Sequence, residues 1–431
     1  MGIVRGRAGP VKLVTIASTL FSPCAGAYRS GMRLQPLSDN FARDPHAAYA
    51  ALRAQGTPVW DEGLGMWLLP RFDWVAAAAL DKRLVRSPGS VFAPEEIAAR
   101  RRAANWHDMP LHSRFVQFSL LDSDGAVHDR LRRLVFRELG PPVIARLKAQ
   151  TEDFVAALLA RVTGAGAIDF VADVAAHIPG HVIGRLLGTP DDDAALLCGW
   201  SENIVQFFDV DRSDARKALA ESTVAAFYAY LKDLAAARRR MPRDDLVTKL
   251  AVAEDAGVIS HDEFVSTAML LLMAGHGSSI DALSSGLASL LRFSDQMARL
   301  RADGALLPTA VQEMFRFEPP LPFFHRHAAE DIELAGRSFP KGTTFGLLYG
   351  AANRDPAAFA EADRFDIGRS PSRHLAFGHG AHLCLGNHIA RMTLETVFGQ
   401  LRTRDIRLLE EPVWKPGLSV RGPRALRVEW L

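Results

Sequence analysis

From Met32 onward, apolar positions recur mostly three and four residues apart, the spacing of helices that bury one face. Pro45 to Gln55 is predicted to be a short amphipathic helix. Val59 to Leu69 carries two aromatic, apolar-rich runs around Gly63-Leu64-Gly65 and is predicted to be a hairpin. Helices are predicted over Arg71 to Leu80, Val127 to Leu139, Val143 to Val162, Val171 to Leu187, Asp214 to Arg240, Ser260 to Phe293 and Leu307 to Phe317. After Pro319 the pattern changes to short strands and turns, with strands at Ile332 to Leu334 and Thr343 to Leu348. Irregular chain then leads to an apolar helix from Asn387 to Gln400 and a terminal strand region from Val420 to Trp430. No repeat or low-complexity linker divides this stretch. The expectation is a mainly α architecture with small β-sheets, folded as a single domain over residues 32–431.

Two of these helices carry more than a packing pattern. Ser260 and Glu263 have the spacing of a capping box. Leu270 to Ala274 is apolar all round, so the helix it belongs to is predicted to run through the core. Gly275-His276-Gly277-Ser278-Ser279 then interrupts it with glycines, each costing about 1 kcal/mol relative to alanine. A purely structural helix gains nothing from that. His276 lies about 200° around the helix from Ala274 and is assigned a packing role. In the helix Leu307 to Phe317, Glu313 and Arg316 are three apart and can pair on one face.

Composition narrows the class. A chain of 431 residues with 48% hydrophobic and 23% charged residues is that of an ordinary globular protein. A formal charge of +2 is too small to imply nucleic acid or an anionic membrane as partner. Cys24, Cys198 and Cys384 are odd in number and far apart, which argues against a disulfide framework and fits a reducing cytoplasm. Cys198 is read as a small core residue. Residues 1–31 imitate a signal peptide, with Arg5, Arg7 and Lys12 before the run Leu13 to Phe21 and Ala25-Gly26-Ala27 after it. Ser and Thr break that run, and a membrane span needs about 20 apolar residues. These residues are therefore taken as a disordered extension or a start-site artefact.

The candidate chemistry centres on Phe377-Gly378-His379-Gly380-Ala381-His382-Leu383-Cys384-Leu385-Gly386. A cysteine at the mouth of a helix sits where unpaired N–H groups favour negative charge, so its thiolate is expected to be stabilised. Gly380 and Gly386 let the backbone turn tightly and pass close to a flat partner. A thiolate so held is an axial ligand suited to haem iron. Further upstream, His128 and Arg132 share a helix face and offer donors to an anion, while Arg130, Arg133 and Arg137 form a basic stripe on the other side.

The pattern Phe-x-x-Gly-x-His-x-Cys-x-Gly resembles the haem-binding loop of the cytochrome P-450 family, with Cys384 as iron ligand and Phe377, Gly380 and Gly386 as its frame. The other motifs follow in that family's order over about 400 residues. Glu313 and Arg316 resemble its Glu-x-x-Arg, whose structural partner would be Arg364. His128, Arg132, Arg326 and His382 match positions that contact haem propionates, and such carboxylates need charge-assisted partners. Ala274 and Gly275 match the oxygen-binding groove, whereas Gly277 stands where the family has an acid and Ser278 where it has threonine. Asp281, about 60° from Ser278 and one turn on, or water in the space vacated at Gly277, is expected to relay protons through Ser278; the alternative for Asp281 is a structural pair with an arginine.

What the resemblance implies is a soluble haem b enzyme that inserts one oxygen atom from O2 into a small, mostly apolar substrate. Phe92, Trp106, Phe115, Leu271, Phe323, Phe324 and Leu418 lie in stretches that line the family's pocket. Electrons from NAD(P)H would arrive through a separate ferredoxin or flavodoxin and its reductase, docking on the basic stripe. The protein is expected to be a cytoplasmic monomer without stable membrane insertion. Because the acid is missing, two other readings stay open. One is a haem-thiolate enzyme that uses peroxide or catalyses coupling or rearrangement; the other is a non-catalytic haem or ligand-binding protein.

Overall fold

The structure, a computed structural model, describes residues 33–430. The extension assigned to residues 1–31, Cys24 with it, lies outside the described residues. One helix organises the rest. His261–Arg292 runs for 32 residues, and its capping box forms as expected: Ser260 accepts the Glu263 N–H, and the Glu263 carboxylate accepts the Ser260 N–H at 2.8 Å. Most of its side chains are buried on every side. The helix continues unbroken through Gly275 and Gly277, as the predicted range Ser260 to Phe293 requires.

Two of its glycines mark close crossings. A Cβ on Gly275 would collide with Ile183 of the helix His177–Leu187, and one on Gly286 would lie 2.9 Å from the Met314 sulfur of the helix Leu307–Phe317. Helices Pro141–Val162, Ala194–Val205, Asp214–Arg240 and Asn387–Leu401 complete the surrounding layer. A continuous apolar cluster, including Leu131, Val155, Ile178, Phe227, Leu272, Leu287 and Phe398, joins them.

The largest sheet lies beside this helical body. Its strands are ordered Val59–Asp61, Met66–Leu69, Thr344–Leu348, Phe323–Ala328 and Leu84–Val85. The hairpin pairs Val59 with Leu68, while Leu68 pairs in parallel with Gly346, and Arg326 sits antiparallel to Phe345. The strand Phe323–Ala328 was not predicted, because its buried histidines and arginine hide the alternation of a half-buried strand. The chain's end closes a second sheet, in which Arg427–Trp430 lies between Gly166–Asp169 and Ile406–Leu408.

Helix bounds follow the periodicity closely where the apolar face is wide: Asp214–Arg240 and Leu307–Phe317 coincide with their predicted ranges. The stretch Val171 to Leu187 divides into a π-helical turn, Val171–Ala175, and the helix His177–Leu187. Short helices went unpredicted. Pro94–Ala103 buries no residue and is mostly charge, so no periodic stripe betrays it.

The irregular chain between Ala352 and Phe377 is held by a buried ion pair. Arg316 donates to both Glu313 oxygens at 2.7 and 2.8 Å, and neither side chain has any exposure. The rest of the guanidinium donates to the carbonyls of Asn353, Ala362 and Arg364. The sequence assigned the third member to Arg364, and the structure corrects this: the Arg364 side chain is exposed and pairs with Glu361, contributing only its carbonyl. Arg369 reaches Glu313, its Nε 3.2 Å from Oε2. Replacing one partner of such a pair strands the other charge, so Glu313→Ala is expected to cost about 3–5 kcal/mol. Arg369→Ala should also lower the melting temperature, whereas Arg364→Ala should change stability by no more than about 0.5 kcal/mol. Thermal denaturation of the three variants checks this, and an equal loss from the two arginines would reverse the assignment.

Candidate active site

The ten-residue loop closes on itself through the Cys384 N–H, which donates to the Phe377 carbonyl at 2.8 Å. Gly378 and Gly380 both adopt φ +72°, a backbone region that side-chain-bearing residues rarely enter. A Cβ on Gly380 would also press into the Ala79 carbonyl at the end of the helix Phe72–Leu80. Gly386 caps the helix Asn387–Leu401 and directs its N–H to the Cys384 sulfur, and Asn387 Nδ2 donates to the Cys384 carbonyl at 2.7 Å. Phe377 anchors the other limb: its ring lies 4.6 Å from Phe315 and under the Arg391 guanidinium. Phe377, Gly380, Cys384 and Gly386 thus share one closed loop at the start of the helix Asn387–Leu401.

The thiol itself departs from expectation. Cys384 is exposed to the space above the loop, yet surrounding protein pushes its pKa up by desolvation; the Gly386 N–H, Arg132 and Arg391 only partly offset this. The helix mouth alone does not make a thiolate here. A coordinated metal cation supplies the missing charge and deprotonates a thiol outright.

Cationic groups gather beside the cysteine. The rings of His128 and His382 are 4.4 Å apart, and His382 Nε2 lies 3.3 Å from Asp124. Asp124 also accepts the Arg86 and Ser87 N–H groups. Burial opposes its ionisation, but His382 and these amides hold it down at about 2. Arg132 donates to the Leu383 carbonyl at 2.7 Å and Arg326 to the His325 carbonyl at 2.9 Å. Neither arginine forms an ion pair among the described residues, and burial lowers Arg326 to about 10. Two desolvated cations without carboxylates, Arg132 acting on the accessible sulfur and Arg326 on His382, fit a flat metal complex with acidic side arms. Among the described residues no cluster of His, Cys, Asp or Glu could hold a bare metal ion.

On the long helix, Ala274 is exposed beside the buried Met273 and the half-buried Gly275, so the helix borders a recess there. A Cβ on Gly277 would meet nothing within 4 Å, which leaves that position open. Ser278 Oγ donates to the Ala274 carbonyl at 2.6 Å. Gly275 instead faces Ile183 and serves helix packing. The relay assigned to Asp281 is corrected as well. Its carboxylate is wholly buried, bonds Lys415 Nζ at 2.7 Å and packs against Gly422, so it ties the helix to the C-terminal hairpin. The structural pair forms, with a lysine in place of the expected arginine. His276 is buried with neither ring nitrogen bonded, and burial lowers its pKa to about 4.

The pocket residues separate into groups. Trp106 and Phe115 meet in an aromatic cluster with His112, Phe207 and Phe208. Leu271 is half-buried against the main core, Phe92 meets His327 edge to face, and Phe324 lies beside Tyr349. Phe323 and Leu418 are buried in a different cluster, with Tyr49, Leu52 and Leu68. Sequence reasoning missed Asp124, Arg369 and the aromatics Phe207 and Phe208. Asp124 alone carried a signal, as a good N-cap residue before a helix. The basic stripe shrinks too: Arg130 is bound to Glu263 and the Val258 carbonyl, leaving Arg133 and Arg137 exposed.

A helical fold that presents one cysteine sulfur over a glycine-shaped loop, flanked by unpaired cations, defines a haem-thiolate protein. Comparison with known proteins agrees. A family model described as cytochrome P450 matches residues 207–402. Cytochrome P450 107B1 of Saccharopolyspora erythraea is 33% identical over 92% of this chain and 97% of its own length. The 6-deoxyerythronolide B hydroxylase of the same organism is 33% identical over 89% and 96%. Among solved structures, the cytochrome P450 enzyme CxnD for C–S bond formation in chuangxinmycin biosynthesis superposes with a TM-score of 0.82 at 32% identity, covering 90% of this chain and 95% of that one. The chain belongs to the cytochrome P450 family and is a haem-dependent, oxygen-incorporating oxidoreductase.

The two groove glycines should respond oppositely to a methyl group. Gly275→Ala is expected to cost about 1–3 kcal/mol by forcing the helices apart. Gly277→Ala should be neutral or stabilising by up to about 1 kcal/mol. Chemical denaturation of both variants checks this.

Proposed function

We propose that residues 32–431 form one haem-thiolate monooxygenase domain in which Cys384 ligates the iron. The observation that carries this reading is the accessible Cys384 sulfur with the unpaired Arg132 acting on it and the unpaired Arg326 acting on the nearby His382. His128, Arg132, Arg326 and His382 would hold the two propionates. Haem bound there supplies the redox chemistry, by which one atom of O2 enters the substrate and the other leaves as water, with two electrons and two protons. The chain's own part is to bind and orient a small, mostly apolar molecule at the recess beside Ala274, keep it dry, and position a proton at Ser278 Oγ.

The electrons are assigned to NAD(P)H, passed through a separate ferredoxin or flavodoxin and its reductase to a cytoplasmic monomer. No helix among the described residues is long and apolar enough to cross a membrane. The docking surface is the exposed side of the helix Gly125–Arg137, where Arg133 and Arg137 flank the exposed Phe136. Complementary charge acts mainly on association rate and is screened by salt. Reversing both arginines should slow reduction by an acidic ferredoxin at low salt and leave substrate affinity unchanged. Identical reduction rates across a salt series would remove this surface from the proposal.

A second reading has its own support. With Gly277 open, Ser278 bonded back to Ala274 and Asp281 committed to Lys415, no acid–alcohol pair is assembled for proton delivery. That favours an enzyme driven by peroxide or one performing oxidative coupling. The test begins with the reduced, carbon-monoxide-treated holoprotein, which should give the spectrum of thiolate ligation; Cys384→Ala should abolish it and Cys198→Ala should not. Product formation with ferredoxin, reductase and NAD(P)H, compared with hydrogen peroxide, then separates the two readings. A spectrum that survives in Cys384→Ala would overturn both.

A further inference from the structure

Arg212 lies between the short helical turn Gln206–Phe208 and the helix Asp214–Arg240. Its Nε donates to the Phe207 carbonyl at 3.1 Å, and its guanidinium stacks 4.9 Å from the Trp106 ring. Asn105 Nδ2 fixes the backbone from the other side, donating to the Arg212 carbonyl at 2.8 Å. Among the described residues no carboxylate forms an ion pair with it. Asp209, the acid that acts on its charge, already accepts the N–H groups of Val210, Leu418 and Ser419.

Burial lowers the Arg212 pKa to about 10, yet the residue is only half-buried, and among the described residues its two terminal amino groups make no hydrogen bond. A cation stripped of most of its water yet with free donors at its tip has the capacity to bind an anion. His325, on the sheet strand that also carries Phe324 and Arg326, lies close enough to feel its charge. Its ring is driven well below the ordinary histidine pKa by burial first, then by the positive charges of Arg86, His327, Arg326 and Arg212. Arg86 is neutralised by Asp122, and Arg326 is assigned to the propionates. Arg212 is the cation left over. The walls beside it are the aromatic rings of Trp106, Phe115 and Phe208.

We propose that Arg212 is the anchor for a carboxylate on an otherwise apolar substrate, held with its body against these rings. An unpaired guanidinium taken out of water costs free energy that a bound carboxylate recovers through charge-assisted, bidentate hydrogen bonds. A site built this way discriminates strongly against an analogue that lacks the acid. The proposal rests on the haem-thiolate reading, since it places the anchor in that enzyme's substrate recess.

Matched pairs test it: decanoate against decan-1-ol, and 2-naphthoate against 2-naphthol, titrated into the haem-loaded protein by calorimetry and by the spin-state shift. The parent should bind each acid about tenfold to a hundredfold more tightly than its alcohol. Arg212→Gln should erase that preference while leaving the alcohols unchanged, and Arg212→Lys should retain part of it. Equal affinity of acid and alcohol for the parent, an equal loss of both in Arg212→Gln, or no saturable binding of either acid would overturn the proposal. The equal loss would identify Arg212 as a packing residue over Trp106. The carbon monoxide spectrum of the same preparation reports separately on the haem-thiolate reading.

Discussion

A charge removed from water has to be answered inside the protein, and the irregular C-terminal third of this chain is assembled around such answers. Glu313 and Arg316 form the strictest case, because each would be left isolated in the core without the other. Their spare hydrogen-bonding capacity gathers the carbonyls of Asn353, Ala362 and Arg364 and the guanidinium of Arg369. Glu318 repeats the device one turn later. Although burial opposes its ionisation, Arg421, His46 and Arg354 hold its carboxyl far below the usual range. One acid thereby fastens an N-terminal helix, the chain after Ala352 and the C-terminal loop to the end of the helix Leu307–Phe317.

The same logic explains which features were legible in the sequence. Helices with a wide apolar stripe announce themselves by period, as Asp214–Arg240 did. The cysteine loop was legible because its geometry demands glycines at fixed places. Long-range charge pairing carries no such local signature. Arg364 and Arg369 both follow the Glu-x-x-Arg closely enough to serve, and only the turn at Asp366–Arg369 decides which guanidinium swings inward. Asp281 was misassigned for a related reason. Angle counting placed it on the side of Ser278, but a hairpin more than a hundred residues away brings Lys415 to it.

That correction changes how the long helix is understood. Its exposed alanine, its open Gly277 and the back-bonded Ser278 mark the face toward the recess, whereas Gly275, His276 and Asp281 belong to packed surroundings. A glycine in a helix is thus two different residues according to its face. At position 275 it lets another helix approach, and at 277 it withholds a side chain from space that one could fill.

The segments covering the recess are tied by the same device. The Asp209 carboxylate accepts the Leu418 and Ser419 N–H groups, joining the chain before the helix Asp214–Arg240 to the C-terminal loop. Glu221 accepts the Leu111 and His112 N–H groups, joining that helix to Pro110–Gln117. His112 then sits neutral among Trp106, Phe115, Phe207 and Phe208, since burial, Arg212 and Arg101 lower its pKa to about 3. Both acids accept backbone N–H groups and form no ion pair among the described residues. Asp209 keeps its own charge in doing so and favours the charged form of Arg212 from nearby. One carboxylate therefore holds the cover in place and keeps the cation beneath it charged, without occupying the guanidinium's terminal N–H groups.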